Sequence, residues 1–392
     1  MQRRLFTLSA IAASGAAFAQ KSKITLPAPY ATPSSNNRPQ VVSRPDGAQL
    51  KLPAGFSIEE FSTGGFSRPR FMLQRANGEI LITDTNIAPN GVVYALTNNG
   101  KDKKKIIEGL DRPYGLAFYK DWLYVGEPTS IKRYKYDSKA LTAAKGEEVV
   151  SYAGLGKGHN SRTILFDLKK DKMYVSCGSE SNATAGEDPR RAALNEYNPD
   201  GSGHRIYAAG LRNIIGLRHR PGTDEIWAAV QERDGLGDDL VPDYLVKVKD
   251  GGFYGWPYAY TGPNEDPTNK GKNPDLVKKT LEPDFVMGAH VAVIDMLFYT
   301  GSQFPKKYKE GVFVAQHGSW NRSQRIGYSI AFVPFKGGKP VGPKEDFLTG
   351  WMLAPDKREV WGRPVGFLQL PDGSLLLSDD GGNKVWRISY KG

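Results

Sequence analysis

A histidine and an arginine lie three residues apart in the segment GKGHNSRT, at His159 and Arg162. Histidine changes its charge near neutral pH, which makes it the usual general base for removing a proton from a hydroxyl group. Cationic neighbours favour its neutral, proton-accepting form. We therefore predict His159 as the catalytic base. The histidines that compete for this role are His204, His219, His290 and His317.

Arginine also begins a unit that recurs along the chain. Each unit has an arginine, an apolar strand, a turn marked by Asp, Asn or Gly, a second apolar strand and an acidic residue. The arginines are Arg68, Arg112, Arg162, Arg212 and Arg363, and the acidic residues are Asp84, Glu127, Glu180, Glu232 and Asp379. The first four arginines lie roughly 50 residues apart, a length typical of one propeller blade.

A further unit keeps both strands but loses this signature. Its strands are VIDMLFYTG and GVFVAQHGS, with Ala292 in the arginine position, His317 in the acidic position and Asp295 where other units favour glycine. Six such units predict an all-β fold, a six-bladed β-propeller closed by strands from both ends of the chain. The alternative, a two-sheet sandwich, would not explain a polar signature at each hairpin.

The propeller geometry turns the repeat into a candidate site. The start of the first strand and the end of the second strand of a hairpin lie on the same face, so the repeated arginines should surround one mouth of the central channel. Desolvated guanidinium groups around one cavity favour a planar ligand with several carboxylates. The alternative is that the ion pairs only tie blades together, and we accept it for Arg68. We predict Arg112, Arg212 and Arg363 as ligand-binding residues.

Two other segments hold side chains that could bind a ligand. The segment QERDGLGDDLVPD offers carboxylates and glycine-exposed carbonyls, which are hard oxygen donors suited to calcium. Its order does not fit a helix–loop–helix calcium site, and a solvated acidic turn is the alternative. The segment QHGSWNRSQR combines His317, Trp320 and Arg322, a set that could sandwich a flat ring.

The N-terminal residues, MQRRLFTLSAIAASGAAFAQ, have a basic start, an apolar stretch and small residues around Ala19. This pattern predicts an export signal over residues 1–19, and hence a periplasmic or secreted protein, with the general and the twin-arginine export routes both open. Residues 20–49 are rich in Pro, Ser, Asn and Thr, which predicts an extended arm. No later segment is apolar enough to predict a membrane span.

Charge and cysteine content narrow the possible partners. The formal net charge of +11 could attract nucleic acid, an anionic surface or an acidic ligand. Export and the absence of a nucleic-acid reader motif argue against nucleic acid. The single cysteine, Cys177, excludes an internal disulfide, and the chain has no Cys-x-x-Cys-His motif for an attached c-type haem. Any electrons that the protein releases must therefore pass to an external acceptor.

Five motifs together carry a family resemblance. They are GLRNIIGL, ERDGLGDDLVPDYL, DGGFYGWPY, QHGSWNRS and GRPVGFLQLPDGSLLLSDDGGNKVWRI. Residues 50–391 resemble the sorbosone dehydrogenase branch of the soluble quinoprotein glucose dehydrogenases, which includes the pyranose dehydrogenases dependent on pyrroloquinoline quinone (PQQ). The resemblance implies a six-bladed propeller that holds PQQ, a flat tricarboxylate, at the channel mouth. It also implies a sugar substrate oxidised by hydride transfer to the quinone.

The resemblance also implies roles for single residues. His159 matches the base that removes the sugar hydroxyl proton, Arg212 and Asn213 match the GLRN pair near the cofactor, and Arg363 matches an arginine that holds it. The backbone carbonyls of Asp234 and Gly235 fall where the family binds calcium. These last two residues are the predicted Ca²⁺ ligands.

Two departures from the family pattern are visible. The aspartate that orients the catalytic histidine is replaced by Ser179, followed by Glu180, and we predict Glu180 as the second catalytic residue. The lysine that contacts the quinone has no clear counterpart. The residues of that region, predicted to contact the cofactor instead, are His317, Trp320 and Arg322.

The sequence thus predicts an exported, calcium-assisted PQQ-dependent sugar dehydrogenase that passes electrons to an external cytochrome or quinone-type acceptor. Two alternatives stay open at this point. One is a metal-dependent lactonase or other hydrolase on a six-bladed propeller, whose metal would be held by carboxylates and asparagine without need of an arginine ring. The other is a secreted binding propeller without catalytic activity.

Overall fold

The apolar runs of the repeated units form antiparallel sheets, which we number as blades 1–6 in chain order. The computed structural model describes residues 24–392, so the predicted export signal over residues 1–19 lies outside the described residues. Blade 1 comprises Pro69–Gln74, Ile80–Asp84, Gly91–Thr97 and Asp102–Leu110. Blade 2 comprises Leu116–Tyr119, Trp122–Glu127, Ser130–Asp137, Thr142–Ala143 and Glu147–Ser151.

Blades 3–5 follow the same order, with the innermost strand first. Blade 3 comprises Ile164–Asp167, Lys172–Cys177, Ala193–Tyr197, Arg205–Ala209 and Gly252–Phe253. Blade 4 comprises Asn213–His219, Ile226–Gln231, Pro242–Lys247 and Phe285–Ala289. Blade 5 comprises Val293–Phe298, Gly311–Gln316, Ser329–Lys336, Lys339–Pro340 and Glu345–Leu348. Each hairpin predicted from the repeat, including the one that lacks arginine, is confirmed.

Blade 6 closes the ring with strands from both ends of the chain. It comprises Pro364–Gln369, Leu375–Asp379, Lys384–Tyr390 and Phe56–Ser62. Phe56–Ser62 pairs antiparallel with Lys384–Tyr390, so an early strand completes the last sheet. The predicted six-bladed propeller and its mode of closure are confirmed. This closure joins the last sheet to the first part of the chain by main-chain hydrogen bonds, so the ring is held shut although each blade keeps an outer edge strand.

Apolar side chains fill the spaces between neighbouring blades. Leu194 of blade 3 and Leu217 of blade 4 lie in one buried cluster, and Trp227 of blade 4 and Val312 of blade 5 lie in the next. Such burial is worth about 25 cal/mol per Å² of apolar surface and is the main stabilising term of the ring. The polar groups of the channel are therefore held by a rigid apolar frame.

The acidic residue that ends the repeated unit caps the hairpin in blades 1 and 6. The carboxylate of Asp84 accepts a hydrogen bond from the backbone N–H of Ser67 at 3.1 Å. Asp379 accepts one from the backbone N–H of Arg363 at 2.7 Å. These acids satisfy main-chain donors that precede the first strand, so their recurrence has a structural cause.

Asp295, which departs from the repeat pattern, links three blades near the channel axis. Its Oδ2 atom accepts hydrogen bonds from the Arg218 guanidinium at 2.7 Å and from the Phe367 N–H at 2.9 Å, and its Oδ1 atom accepts one from the Met296 N–H at 2.8 Å. Asp295 is buried, and these bonds offset the cost of burying its charge. We conclude that this aspartate stabilises the ring.

The remaining short elements lie outside the six blade sheets. A parallel pair joins Gln40–Val41 to Glu359–Val360, and a small hairpin joins Ala259–Tyr260 to Asn264–Glu265. The helical elements are Pro267–Asn269 and Lys306–Lys309, both 3₁₀, and the α-helix Pro274–Lys279. Within residues 24–392 no helix is long and apolar enough to cross a membrane.

Candidate active site

His159 lies on the loop before blade 3, at the channel mouth where the second strands end. Its Nδ1 atom is 2.7 Å from the carbonyl oxygen of Ser179 and 3.0 Å from the Ser179 hydroxyl oxygen. The hydroxyl itself donates to the carbonyl of Ser181 at 2.6 Å, so it can only accept from the imidazole. Nδ1 must therefore carry the hydrogen, which leaves Nε2 as the basic nitrogen.

The surroundings of His159 keep its imidazole neutral. Burial, and next the positive charge of Arg212, lower the pKa of His159 to about 3. A neutral ring with a fixed tautomer is the form that a general base requires. This neutral, fixed tautomer is compatible with the predicted role of His159 as a general base, and that role stays a prediction.

Arg212 directly precedes the inner strand of blade 4, and its guanidinium is buried at the same mouth. It donates to the backbone carbonyl of Glu232 at 2.8 Å, and to the backbone carbonyl and the side-chain oxygen of Asn182, both at 3.1 Å. Its own carbonyl accepts a hydrogen bond from the N–H of Ser179 at 2.8 Å. The strand that carries Arg212 is thereby bonded to the residue that orients His159.

Asn213 lies next to the histidine because residue 178 is glycine. A Cβ atom at Gly178 would lie 2.4 Å from Asn213 Oδ1 and 2.6 Å from His159 Cβ, distances that no side chain tolerates. The amide of Asn213 donates to the side-chain oxygen of Gln231 at 3.0 Å. Its buried Oδ1 has no hydrogen-bond partner within residues 24–392. A buried oxygen without a partner is a feature that binding sites tolerate and cores avoid.

Two adjoining cavities, about 280 Å³ and about 470 Å³, open between these groups. The side chains that line both cavities are His159, Arg212, Asp234 and Trp320. The indole of Trp320 is 37% exposed, so a flat ligand can reach its surface. A larger cavity of about 850 Å³ lies at the opposite end of the hairpins, near Gln74 and Asp372. We place the site at His159 because the base, the cation and the aromatic ring converge there.

Two buried carboxyl groups lie deeper in the smaller cavity. Burial raises the pKa of Glu232 to about 8 and that of Asp243 to about 6. Glu232 Oε1 has no hydrogen-bond partner in the described part of the chain. At neutral pH the Glu232 side chain is therefore mostly protonated, and the cavity beneath Arg212 carries less negative charge than the sequence suggests.

The geometry at Asp234 does not fit the predicted calcium site. The carbonyl oxygen of Asp234 accepts hydrogen bonds from Asn182 Nδ2 at 2.9 Å and from Arg233 Nε at 3.0 Å, which uses both of its lone pairs. Its carboxylate lies 3.5 Å from Arg212 and 3.3 Å from Nδ1 of His290. Among residues 24–392 no group of three or more acidic, histidine or cysteine side chains could hold a metal. The Asp234 carbonyl is therefore already occupied by protein donors, and calcium binding at the carbonyl of Gly235 stays a prediction.

A second polar cluster lies between blades 5, 6 and 1. Asp380 Oδ1 lies 2.8 Å from His317 Nε2, and Asp380 Oδ2 lies 2.6 Å from the Arg70 guanidinium. Arg363 donates to the backbone carbonyl of His317 at 3.2 Å. Burial, and next the charge of Arg363, lower the pKa of His317 to about 4. His317 and Arg363 thus lie together, away from the walls of the His159 cavities, and their predicted contact with a cofactor stays a prediction.

The other arginines of the repeat do not form the predicted ring around one ligand. Arg162, which the repeat pattern placed at the channel mouth, is wholly buried and donates to the carbonyls of His159, Ser161 and Pro128, so it faces main-chain atoms. Arg112 donates to its neighbour Asp111 at 3.0 and 3.2 Å. Of the repeated arginines, Arg212 is the one that lines the two cavities.

Two predicted residues have different partners from those expected. The carboxylate of Glu180 pairs with Arg191 and accepts a hydrogen bond from the Gly158 N–H at 2.7 Å. The contact that orients His159 is made by Ser179, and a catalytic role of Glu180 stays a prediction. Arg322 lies outside both cavities and pairs with Asp239 at 2.7 Å.

Sequence reasoning missed Asn182, which connects most parts of the site. Its side-chain oxygen accepts from Arg212 and from the Asp234 N–H, and its carbonyl accepts from Trp256 Nε1 at 2.9 Å. Asn182 belongs to no repeated position, so no pattern marks it. Trp256 belongs to the DGGFYGWPY motif, and this bond gives the motif a structural role beside the site.

The comparison with family models identifies the class of protein. The TrAA12-like family model matches residues 50–261 and 265–391. The chain belongs to this family. The match covers all six blades, and the resemblance predicted from the sequence motifs is confirmed.

Individual relatives support the same conclusion. A Borreliella burgdorferi protein of unassigned function is 31% identical over 87% of this chain and 91% of its own length. The PQQ-dependent pyranose dehydrogenase of Coprinopsis cinerea is 23% identical over 87% of this chain, which spans about half of that protein, 54%. The calcium structure of the Trichoderma reesei family AA12 enzyme superposes with a TM-score of 0.74 at 22% identity, covering 91% of this chain and 100% of the other. This superposition supports the fold.

Proposed function

We propose that the protein is a PQQ-dependent dehydrogenase that oxidises a hydroxyl group of a sugar. The observation that carries the proposal is the convergence of His159, Arg212 and Trp320 on the walls of shared cavities. The curated relative is named a PQQ-dependent pyranose dehydrogenase, which supports the same chemistry. A sugar substrate follows from that name and is part of the proposal.

The residues of the cavity fit the quinone better than they fit calcium. A planar tricarboxylate needs a cation with directed N–H groups and a flat surface, which Arg212 and Trp320 provide. The two cavities together are large enough for a ligand of this size. When bound, PQQ would supply the hydride acceptor that the protein lacks. No step is assigned to calcium, because the Asp234 carbonyl already has two donors.

His159 would accept the hydroxyl proton of the sugar at Nε2. The Ser179 carbonyl accepts a hydrogen bond from Nδ1, the other ring nitrogen, so the imidazole is already oriented before the proton transfer. The imidazolium that forms would be stabilised by the carboxylate of Asp234, whose charge favours protonation of His159. Arg212 opposes that protonation and so favours return of the proton to solvent after the reaction.

The experiment is to reconstitute the purified apoprotein with PQQ and follow reduction of an acceptor dye with a panel of aldoses, ketoses and sugar aldehydes. Reduction that requires both quinone and sugar supports the proposal. Hydrolysis of lactones without quinone would instead favour the lactonase alternative. Quinone binding without turnover on any sugar would favour a binding propeller. Parallel samples with EDTA and with added calcium test the calcium requirement directly.

We also propose export by the segment over residues 1–19 and transfer of electrons to an external cytochrome or quinone-type acceptor. The absence of an attached haem motif supports the second part. Sequencing the N-terminus of protein recovered from the periplasm or medium tests the first part. A mature chain that still begins at Met1 inside the cell would contradict it.

A further inference from the structure

Residues 30–42, here called the N-terminal strap, cross the mouth of the site from blade 4 to blade 6. The Tyr30 N–H donates to the carbonyl of Leu236 at 2.8 Å, on the turn that follows Gly235. At the other end the Val42 N–H donates to the carbonyl of Val360 at 2.9 Å. The segment has little regular structure of its own, so these contacts and those described next define its path.

The strap contacts the loop that carries Trp320. This loop, residues 317–328, has neither helix nor strand, and its conformation depends on Arg325, which is wholly buried. The Arg325 guanidinium donates to the backbone carbonyl of Asn37 at 3.0 Å and to Asn37 Oδ1 at 2.8 Å. It also donates to the carbonyls of Ser319 and Lys357, at 3.0 and 2.9 Å. A buried guanidinium needs all of these acceptors, and Asn37 supplies two of them.

Asn37 also binds the main chain on both sides of Asn321. Its N–H donates to the carbonyl of Trp320 at 2.7 Å, and its side-chain amide donates to the carbonyls of Arg322 and Ser323 at 3.1 and 3.0 Å. The guanidinium of Arg38 lies over the Trp320 indole, 5.5 Å from the ring centroid. One asparagine of the strap therefore fixes the backbone that presents Trp320 to the cavity.

Asn321 extends this network to the turn at Asp234. Its amide donates to the carbonyl of Ser35 at 2.6 Å, and its side-chain oxygen accepts a hydrogen bond from the Gly235 N–H at 2.9 Å. Gly235 and Asn321 both line the larger of the two His159 cavities, that of about 470 Å³. The strap is thus bonded, through one side chain, to the turn that faces Arg212.

We propose that the N-terminal strap is part of the active site, with Asn37 as a positioning residue that holds Trp320 against the bound ligand. The nature of that ligand rests on the proposed function, whereas the strap contacts do not. Loss of the Asn37 side chain should release the loop around Trp320 and weaken quinone binding.

The test compares Asn37→Ala with Asn36→Ala, a matched control at the adjacent, exposed asparagine. Asn37→Asp is the conservative variant, because it keeps an oxygen for Arg325. Trypsin cuts after Arg322 and Arg325 only when the loop opens, so the rate of cleavage of the apoprotein reports the loop directly. Dissociation constants for PQQ come from titration of the same three proteins. Thermal melting shows that each variant is folded.

We expect Asn37→Ala to be cleaved in the loop about tenfold faster and to bind PQQ about tenfold more weakly, as loss of hydrogen bonds to a buried charged group predicts. Asn36→Ala should match the unmodified protein, and Asn37→Asp, which keeps the acceptor for Arg325 but loses the amide donor to the Arg322 and Ser323 carbonyls, should recover only part of the protection. Wild-type cleavage rates in a folded Asn37→Ala would overturn the proposal. If no variant or parent binds PQQ, the proposed function fails, while the cleavage rates still decide whether the strap holds the loop.

Arg38→Ala gives a second test with little risk to folding, since Arg38 is exposed. Removal of the guanidinium above Trp320 should increase quenching of Trp320 fluorescence by acrylamide, measured as the difference from the same variant carrying Trp320→Phe. Unchanged quenching in Arg38→Ala, together with unchanged cleavage in Asn37→Ala, would show that the strap is a passive arm.

Discussion

His159 Nδ1 lies 2.7 Å from the carbonyl oxygen of Ser179, and this contact assigns the imidazole hydrogen to Nδ1. The acceptor is a backbone atom, so no side-chain substitution at residue 179 removes it. The orienting carboxylate that the family resemblance implies is here replaced by a main-chain carbonyl. Burial is the largest cause of the low pKa of His159, and the Ser179 contact opposes it, as a neutral acceptor does less strongly than a carboxylate would.

His159→Ala should lower kcat by about 10²–10⁴-fold, the range expected for loss of a general base, with PQQ affinity nearly unchanged. Because the pKa of His159 is about 3, kcat/KM of the unmodified enzyme should show no loss from protonation of this residue between pH 8 and pH 5. Steady-state kinetics of dye reduction between pH 5 and pH 8 measure kcat of His159→Ala and the pH dependence of kcat/KM of the unmodified enzyme. A variant of unchanged rate, or a fall in kcat/KM with a midpoint near pH 6.5 that vanishes in His159→Ala, would contradict this assignment.

Ser179→Ala and Glu180→Gln separate the two candidates for orienting His159. Ser179→Ala removes only the hydroxyl contact at 3.0 Å and leaves the carbonyl contact, so we expect kcat to fall only a few-fold. Glu180→Gln should also retain most of kcat, because its carboxylate pairs with Arg191 rather than with the imidazole. A loss of 100-fold or more in Glu180→Gln, as is typical for a group that takes part in proton transfer, would restore Glu180 as a catalytic residue.

Arg212→Lys and Arg162→Lys compare two arginines from the same repeat position. Lysine keeps the charge but loses the planar fork, so Arg212→Lys should weaken PQQ binding by about tenfold or more. Arg162→Lys should leave the PQQ dissociation constant unchanged and lower Tm, since Arg162 donates only to main-chain carbonyls at a junction between blades. Equal effects of both variants on PQQ affinity would indicate that both arginines bind the cofactor, as the predicted ring of arginines requires.

The repeat explains how much of the fold and of the candidate site could be predicted from the sequence. Alternating apolar strands and turn residues have a fixed spacing, so the six hairpins and even the arginine-free unit around Asp295 are visible without a structure. The partners of the repeated arginines depend on loops that differ between blades, which a repeat pattern cannot describe. Arg162 and Arg212 occupy the same position of the repeat. Arg162 nevertheless donates to carbonyls at a blade junction, whereas Arg212 lines a cavity.

Loop contacts explain the other differences. The calcium assignment to the carbonyls of Asp234 and Gly235 follows from the family resemblance, but Asn182 and Arg233 reach the Asp234 carbonyl from positions that no local pattern marks. The same applies to Asn37, which lies in a segment whose composition predicts only an extended arm. Long-range hydrogen bonds of single asparagines are the part of the site that periodicity and motifs leave undetermined.

Glu232→Gln should change how stability depends on pH. The ordinary pKa of 4.5 is raised to about 8 by burial, so the folded protein keeps this proton while the unfolded chain releases it above pH 4.5. Stability contributed by the protonated group is therefore lost as pH rises from 4.5 to 8. Glu232→Gln removes this loss, so its Tm relative to the unmodified protein should be higher at pH 8 than at pH 5. The same Tm difference at both values would show that Glu232 is ionised in the folded protein.

Equilibrium titration of the purified apoprotein with PQQ tests the central claim most directly. The account predicts saturable binding of one quinone per chain, weakened about tenfold or more by Arg212→Lys and little changed by His159→Ala. It also predicts that EDTA does not abolish this binding, since the Asp234 carbonyl has two protein donors. No saturable binding, or binding that is indifferent to Arg212, would contradict the account.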